Sequence, residues 1–596
     1  MEVVAVMEES DGLWEQWLEA PLHQVSKLLA APLSEGAGTG ESTGAGGGGK
    51  GQPPLESEAL EAPAAQLLAL LEERPARWES VPLVGVAEPA TQAGRLVRYR
   101  GMVQDMLEPE YYMAVYELHK PLPSQPKRIC MKYCEDPRQH LGTARNDEAT
   151  NIKTAEQEES EEEEGHFLPH LIFQRERLHC VPRPAQSQWA TPSSSLSGCI
   201  LKLYDKAEGS LKLNELVECV GILAPIDDGA ESKFSQEQGA EEASSSAPSD
   251  NNDCQLRLHC LAYRKLLPSD FIPAELRESP ASSLVSVRQS LVERIAATLG
   301  EDTLAAEYVL LGMLSHIYTR YDTLPLGSLC LNLCGLPEYR QHSRATRTST
   351  STHVPSALNN IGSAIHSLST SLLPASMLIP MTLQNLNSGR FTPFKDYNNN
   401  RLVSGALQLA AGTFLILDET CLEEGTLNKT GVHNVSALKE LIQWQKVSYD
   451  FQYYRTQFEC DIPVLTLSCS SKPLLPFQCQ VPLRPTTPFG TERKEQQIED
   501  QALLTRCRAY LACMRNINVT IDADVSKLVE DDFVNRRQRQ EGGDISPELL
   551  HLWLTLARLQ AMSFGEDVLT EERWNYTKAL EQQRLSLMEQ QQRIPL

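Results

Sequence analysis

The segment Thr413-Phe414-Leu415-Ile416-Leu417-Asp418-Glu419-Thr420 carries the sharpest chemical pattern in the chain. Four apolar residues followed by Asp-Glu have the form of a Walker B strand. There the aspartate holds Mg²⁺ through water and the glutamate polarises the water that attacks ATP. A buried strand ending in an acidic turn produces the same pattern, so the test is the partner motif. A phosphate loop needs G-x-x-x-x-G-K-[ST], in which backbone amides cradle phosphate, the lysine meets the outer phosphates and the hydroxyl meets Mg²⁺. No Gly-Lys-Ser or Gly-Lys-Thr occurs, and Gly49-Lys50 falls in a Gly-rich stretch. Where a phosphate loop would follow the first strand stands Gly335-Leu336-Pro337-Glu338-Tyr339, with no lysine and a carboxylate that repels phosphate. Asp418 and Glu419 have no ordinary ATP site to serve.

Other reactive residue types are weaker signals. Cys130-x3-Cys134 and Cys330-x3-Cys334 lack a second ligand pair at zinc-finger spacing and read as buried structural thiols. His433, in the turn-like Gly431-Val432-His433-Asn434, reads as a satisfied loop histidine rather than a general base. Gly40-Glu41-Ser42-Thr43-Gly44 matches G-x-S-x-G, but a nucleophile elbow needs a strand before it and a helix after it. No catalytic residue, metal ligand or cofactor is expected. One block offers a binding face instead. Tyr99, Tyr111 or Tyr112 could stack single-stranded bases while Arg95, Arg98 and Arg100 follow the backbone. Core packing explains those tyrosines at least as well.

The elements that must position these residues come from a chain of 596 residues, in which Lys+Arg 54 against Asp+Glu 79 leave a net charge of −25. Coating DNA or RNA rests on cations that neutralise phosphates, so this balance argues against that as the main task while leaving room for a local basic groove. No apolar run long enough to span a membrane appears, and the N-terminus lacks a basic start and cleavage site. Fifteen cysteines spread through a long chain read as reduced thiols. The expectation is a soluble, intracellular, multidomain protein.

Residues 1–33 carry Leu13, Trp14, Trp17, Leu18, Leu22, Val25, Leu28 and Leu29 at helical spacing. Residues 34–57 form a flexible Gly-rich linker and 58–93 a short helical connector. Within 94–225, alternation from Leu96 to Gly101 reads as a strand, Glu108-Pro109-Glu110 as a turn, and Tyr111 to Tyr116 as the next strand. Strands resume at Leu178 to Pro182, Cys199 to Tyr204 and Val217 to Leu223. The run Glu161 to Glu164 makes 142–165 a disordered acidic insertion. Short strands, a bulging glycine and a long insertion point to an OB-like β-barrel.

A flexible linker at 226–253 and a strand and helical connector at 254–300 follow. Helical spacing over Leu284 to Leu299 and Thr303 to Tyr318 precedes runs at Leu329 to Cys334, Phe414 to Leu417 and Val464 to Leu467 that are apolar on both faces. These imply a mostly parallel sheet over 301–500. Helices occupy 501–585, and 586–596 is a tail whose Gln-rich residues fray.

Several uncommon strings now bear on identity. Arg100-Gly101-Met102-Val103-Gln104-Asp105-Met106, Pro109-Glu110-Tyr111-Tyr112-Met113, Asn400-Arg401-Leu402-Val403-Ser404-Gly405 and Leu417-Asp418-Glu419-Thr420 closely resemble the family of minichromosome maintenance (MCM) complex-binding proteins. So do Gly431-Val432-His433-Asn434-Val435 and Val529-Glu530-Asp531-Asp532-Phe533. The resemblance implies a nuclear, non-enzymatic factor that binds subunits of the MCM replicative helicase. It connects the chain with MCM assembly, unloading from chromatin and sister-chromatid cohesion. Chromatin association would be indirect, with no direct nucleic-acid contact and no membrane.

A fainter resemblance, from Ser404 to Gly412 before Asp418, is to the MCM helicases themselves. On that pattern the catalytic positions are empty. Leu474-Leu475-Pro476-Phe477-Gln478-Cys479 stands at the arginine finger, with Phe477 in the arginine position. Ser468-Cys469-Ser470-Ser471 replaces the sensor Asn-Pro, and Ser546-Pro547-Glu548 puts Glu548 where a sensor arginine would meet the γ-phosphate. Phosphoryl transfer depends on charge stabilisation at such positions. The expected fold class is multidomain, α+β and α/β: an OB-like β-barrel followed by a degenerate AAA+-like α/β domain with a helical lid. Asp418 and Glu419 are then remnants, and Arg95, Arg98, Arg100, Tyr111 and Tyr112 are the candidate partner contacts. Two alternatives stay open: an active AAA+-type ATPase with an unorthodox phosphate loop, and an OB-fold single-stranded DNA-binding protein.

Overall fold

A computed structural model describes residues 2–35, 55–84, 93–119, 127–130, 132–133, 166–182, 198–204, 211–224, 256–267, 270, 281–336, 361–470, 472–486, 501–539 and 547–592. The acidic insertion expected at 142–165, the linker stretches expected at 36–54 and 226–253, and residues 342–352 lie outside them. The chain divides into two units, one of Met1–Arg183 with Thr191–Lys265, the other of Pro184–Ala190 with Leu266–Leu596. The described residues hold thirteen helices and several sheets, a mixed α/β architecture.

In the first unit, β1 (Leu96–His119), β2 (Lys127–Cys130), β3 (His166–Pro182), β4 (Cys199–Leu203), β5 (Leu216–Leu223) and β6 (Leu256–Lys265) lie in the order β2-β1-β3-β4-β6-β5. β1 also pairs with β5, from Leu96↔Ile222 to Met102↔Leu216, so five of the strands close into a barrel. Closure removes the unpaired edges that would otherwise invite association. β4 and β6 are parallel, whereas the other pairings are antiparallel. The turn expected at Glu108-Pro109-Glu110 is corrected here: β1 runs straight through it. Pro109 has no N–H for the ladder, and the pairing with β3 slips between Leu107 and Glu110 to absorb it as a bulge.

Val97, Tyr99, Val103, Leu178, Leu201, Val217 and Leu258 fill the barrel together with Cys180, Cys199, Cys219 and Cys260. A second cluster forms where Trp14, Trp17, Val25 and Leu29 of the first two helices meet Leu67, Leu71 and Trp78 against Val220, Ile222 and Leu261 of the barrel. The helical spacing of the N-terminal tryptophans thus serves packing.

The second unit contains, in chain order, β7 (Thr319–Tyr321), β8 (Leu324–Leu326), β9 (Cys330–Cys334), β10 (Ser376–Pro380), β11 (Phe394–Asp396), β12 (Arg401–Val403), β13 (Phe414–Asp418), β14 (Lys446–Asp450), β15 (Arg455–Glu459), β16 (Val464–Leu467) and β17 (Cys479–Pro482). Five make a wholly parallel sheet in the order β10-β13-β16-β9-β17. β9, β13, β16 and β17 are buried at every position, as strands covered on both faces must be. A separate four-stranded sheet, β12-β11-β14-β15, joins two hairpins through Phe394↔Asp450.

Helix Thr303–Leu314 packs under the parallel sheet and is capped by Asp302, which accepts from the Ala305 amide at 3.0 Å. It ends before the expected Tyr318, because Tyr318 is drawn into the β7–β8 hairpin by a bond from its amide to the Leu326 carbonyl. Tyr308 of this helix donates to Glu581 at 2.5 Å, and Arg584 ties Glu581 to the Gln480 carbonyl on β17. Glu581 and Arg584 belong to the helix Glu571–Gln592, which runs through the Gln-rich stretch expected to fray.

Gly221 marks the tightest approach in the barrel. A Cβ there would lie 2.2 Å from the His259 carbonyl oxygen, beside the bulge between Val220 and Gly221. Gly221→Ala is expected to destabilise the barrel by about 1–3 kcal/mol through overpacking. Lost hydrogen-exchange protection in β5 and β6, with β13 and β16 unchanged, is the measurement.

Candidate functional site

β13 ends at the carboxyl edge of the parallel sheet, the edge where open α/β sheets place ligands. Its last residue, Asp418, is fully buried and caps the short 3-10 turn Glu419–Cys421. Asp418 Oδ1 accepts from the Thr420 amide at 3.0 Å and the Thr420 hydroxyl at 2.5 Å, and Oδ2 lies 3.4 Å from the Cys421 thiol. Glu419 is also buried. Its two carboxylate oxygens accept from the successive amides of Leu474 and Leu475, each at 3.0 Å. Burial pushes the Glu419 carboxyl above its ordinary range, although both amides pull it down. The acidic pair is brought together as the sequence pattern requires, and both members are occupied by donors of the protein itself.

Ser468, at the end of β16, places its hydroxyl 3.0 Å from Asn332 Oδ1 on β9. Phe477 and Leu474 are exposed on the loop that Glu419 anchors, and Glu548 is exposed in the first turn of Pro547–Ser563. Residues 337–339, which follow Leu336, lie outside the described residues. His433 is not in a turn: Asn428 caps the helix Lys429–Trp444 by accepting from the Gly431 amide at 2.8 Å, and His433 falls within that helix.

In the barrel the candidate contact residues separate. Arg95 is exposed, and Tyr111 is 73 % exposed. Arg98 is buried, bonded to Glu218 at 3.1 Å. Arg100 reaches the same carboxylate, and Arg264 closes it from β6 at 2.7 Å while lying 4.5 Å over the Trp78 ring. Glu218 is fully buried. Burial alone would raise its carboxyl, but Arg100, Arg264 and Arg98 outweigh that and hold it below the ordinary range. Tyr99 is buried, donating to the Cys180 carbonyl at 3.0 Å, so it packs the core. Tyr112 is half-buried edge-on to Tyr204 at 5.0 Å, with the Arg175 guanidinium 5.3 Å over its ring. Of the candidate contacts, Arg95 and Tyr111 are the exposed ones, and Arg100 keeps a quarter of its side chain open. Sequence reasoning misses Glu218, because a glutamate in an alternating strand signals an outward position and nothing local announces three arginines converging on it.

Among the described residues no group of His, Cys, Asp and Glu gathers to hold a metal ion, and no helix is long and apolar enough to cross a membrane. The geometry defines a class: an α/β protein with a closed barrel and a parallel-sheet unit whose acidic strand end is filled from within. The family model for the Mini-chromosome maintenance replisome factor matches residues 68–197 and 191–588, and the chain belongs to that family. It is similar to the Mini-chromosome maintenance complex-binding protein of Salmo salar, 33% identical over 585 residues that cover 84% of this chain and 89% of that protein. The protein of the same name from Arabidopsis thaliana is 29% identical over 578 residues, covering 83% and 88%. That from Homo sapiens is 34% identical over 439 residues, covering 68% and 64%.

Two outcomes follow. Glu419→Ala leaves the Leu474 and Leu475 amides without their acceptor, at about 1–3 kcal/mol for each buried group. Fast exchange at those amides, with a smaller change in Glu419→Gln, is the expected result. In the barrel, burial first, then Lys202 and Arg175, hold His259 well below the usual histidine range. The unfolded chain takes up that proton near pH 6.5 and the folded barrel does not, so barrel stability present above pH 6.5 falls as pH drops below it, by up to about 1.4 kcal/mol per pH unit. His259→Asn flattens the slope of barrel exchange protection between about pH 6.5 and 5.5.

Proposed function

We propose that the chain is a non-catalytic nuclear factor that binds subunits of the MCM replicative helicase. In this reading it regulates assembly of the complex and its unloading from chromatin, in DNA replication and sister-chromatid cohesion. The names of its relatives support MCM binding. One observation carries the non-catalytic part: the Glu419 carboxylate, which a motor needs for its attacking water, is held by the Leu474 and Leu475 amides.

The barrel is read as OB-like. In support, its five strands close in the order first, second, third, fifth, fourth (β1, β3, β4, β6, β5), with the third and fifth parallel. The parallel unit is read as a degenerate AAA+-like core, with helices from Gln501 onward as its lid. Support comes from its first strand, β9, lying between its fourth and fifth, β16 and β17, and from the acidic pair at the end of its third, β13. Such a pseudo-subunit presents helicase-like surfaces without a motor. Ring contacts are heterologous, so a lookalike takes one neighbour's place without closing a competent ring. Chromatin is reached through the MCM partner, and no cofactor is consumed.

The test uses the purified chain and purified MCM complex, with and without Mg-ATP, and compares wild type with Asp418→Asn/Glu419→Gln. Equal affinity in every arm and no ATP turnover by the chain are expected. ATP hydrolysis that the double variant abolishes would establish the ATPase reading instead.

A further inference from the structure

The most exposed large hydrophobic side chain among the described residues is Tyr453, at 84 %. It does not stand alone. The β14–β15 hairpin turns through Phe451-Gln452-Tyr453-Tyr454, and the β11–β12 hairpin turns beside it through Tyr397-Asn398-Asn399-Asn400. Tyr454 is 59 % exposed and Tyr397 44 %. The Tyr453 and Tyr397 rings lie 5.7 Å apart, and Phe451 stacks on Tyr454 at 5.1 Å.

The backbone beneath these rings is fixed. The Tyr397 hydroxyl donates to the Phe451 carbonyl at 3.1 Å, which ties one hairpin to the other. Asp450 accepts from the Gln452 amide at 2.8 Å, and Asp396 accepts from the Asn398 amide at 2.9 Å. Lys395 donates to the Asn400 carbonyl at 2.9 Å. Rigid tyrosines over asparagine-rich turns give large contact area at small entropic cost on association, which is the chemistry of interface hot spots.

Charge narrows the occupant. Arg390, stacked 4.0 Å over Phe394, joins Lys395, Arg401 and Arg455 around the tip. The carboxylates there, Asp396 and Asp450, are engaged by the hairpins' own donors. With Arg455 paired to Asp450 at 3.5 Å and Asp396 held ionised by its donors, Arg390, Lys395 and Arg401 leave the tip a small cationic excess on a chain of net charge −25. That excess complements a local acidic patch on a protein, whose contact stays at the tip, whereas a nucleic acid carries its continuous phosphate charge over the acidic remainder of the chain.

We propose that this double-hairpin tip is a docking surface for an acidic patch of the MCM complex, a proposal that rests on the MCM-binding reading above. The experiment measures the Kd of the full chain for purified MCM complex by biolayer interferometry. Tyr453→Ala/Tyr454→Ala raises Kd about tenfold or more, whereas Tyr453→Phe/Tyr454→Phe stays near wild type. Arg390→Glu/Arg401→Glu weakens binding and flattens its salt dependence. Unchanged thermal melting shows that the variants fold. An alanine variant that binds MCM as wild type does overturns the tip and leaves MCM binding standing. A wild-type chain that does not bind MCM overturns both. Loss of oligo(dT) binding in place of MCM binding assigns the tip to nucleic acid and also overturns the proposal.

Discussion

Taking a carboxylate out of water costs several kcal/mol unless donors surround it, and both units meet that demand with donors brought from distant parts of the chain. In the barrel, Glu218 on β5 faces Arg100 across one ladder and Arg264 across the other. β5 cannot leave either neighbour without stranding a charge, so the seam that closes the barrel is also its electrostatic centre. In the second unit, Glu419 plays the same part with uncharged partners. Its two amides come from a loop 55 and 56 residues further on, so the end of β13 and the loop after β16 are fixed as one piece.

That fixation bears on the proposed role. A motor subunit needs its acidic pair free to hold metal and water and to respond to a neighbour. Here Asp418 spends its oxygens on Thr420 and Cys421, and Glu419 spends its own on the loop that displays Leu474 and Phe477. The chemistry of the strand end becomes a structural cross-link, and the exposed loop becomes a rigid surface. A rigid surface gives up little entropy on association, which suits a binding factor.

Much of this is legible in the sequence, for identifiable reasons. Phe414 to Leu417 and Val464 to Leu467 are apolar on both faces, the pattern of strands covered on both sides in a parallel sheet. Trp14 and Trp17 announce a packed helix by spacing alone. Closure of the barrel is not legible, because Arg98 and Glu218 are 120 residues apart and alternation names a face, never a partner. Pro109 reads as a turn because proline breaks ladders, yet a register slip serves equally well. Gly431 reads the same way, yet the cap from Asn428 makes it the start of a helix. Of the candidate contacts, Arg98 is lost to the buried carboxylate it neutralises. The aromatic tip is missed because pattern reasoning assigns rings to cores, and Tyr453 is an exception only in three dimensions.

The bond from Tyr308 to Glu581 spans 273 residues and sits against the last strand of the parallel sheet through Arg584 and Gln480. Its consequence concerns the order of synthesis. Every strand of the barrel has left the ribosome once Lys265 emerges, so that unit can complete its closure while the rest is still being translated. The α/β unit has no such freedom. Its sheet strands, Cys330 to Pro482, are all made before Glu581 appears, and until then Tyr308 on the helix beneath them lacks its partner. A nascent parallel sheet still lacking its last covering helix is the kind of surface chaperones hold. The barrel is thus finished early and the parallel-sheet unit late, within a single polypeptide.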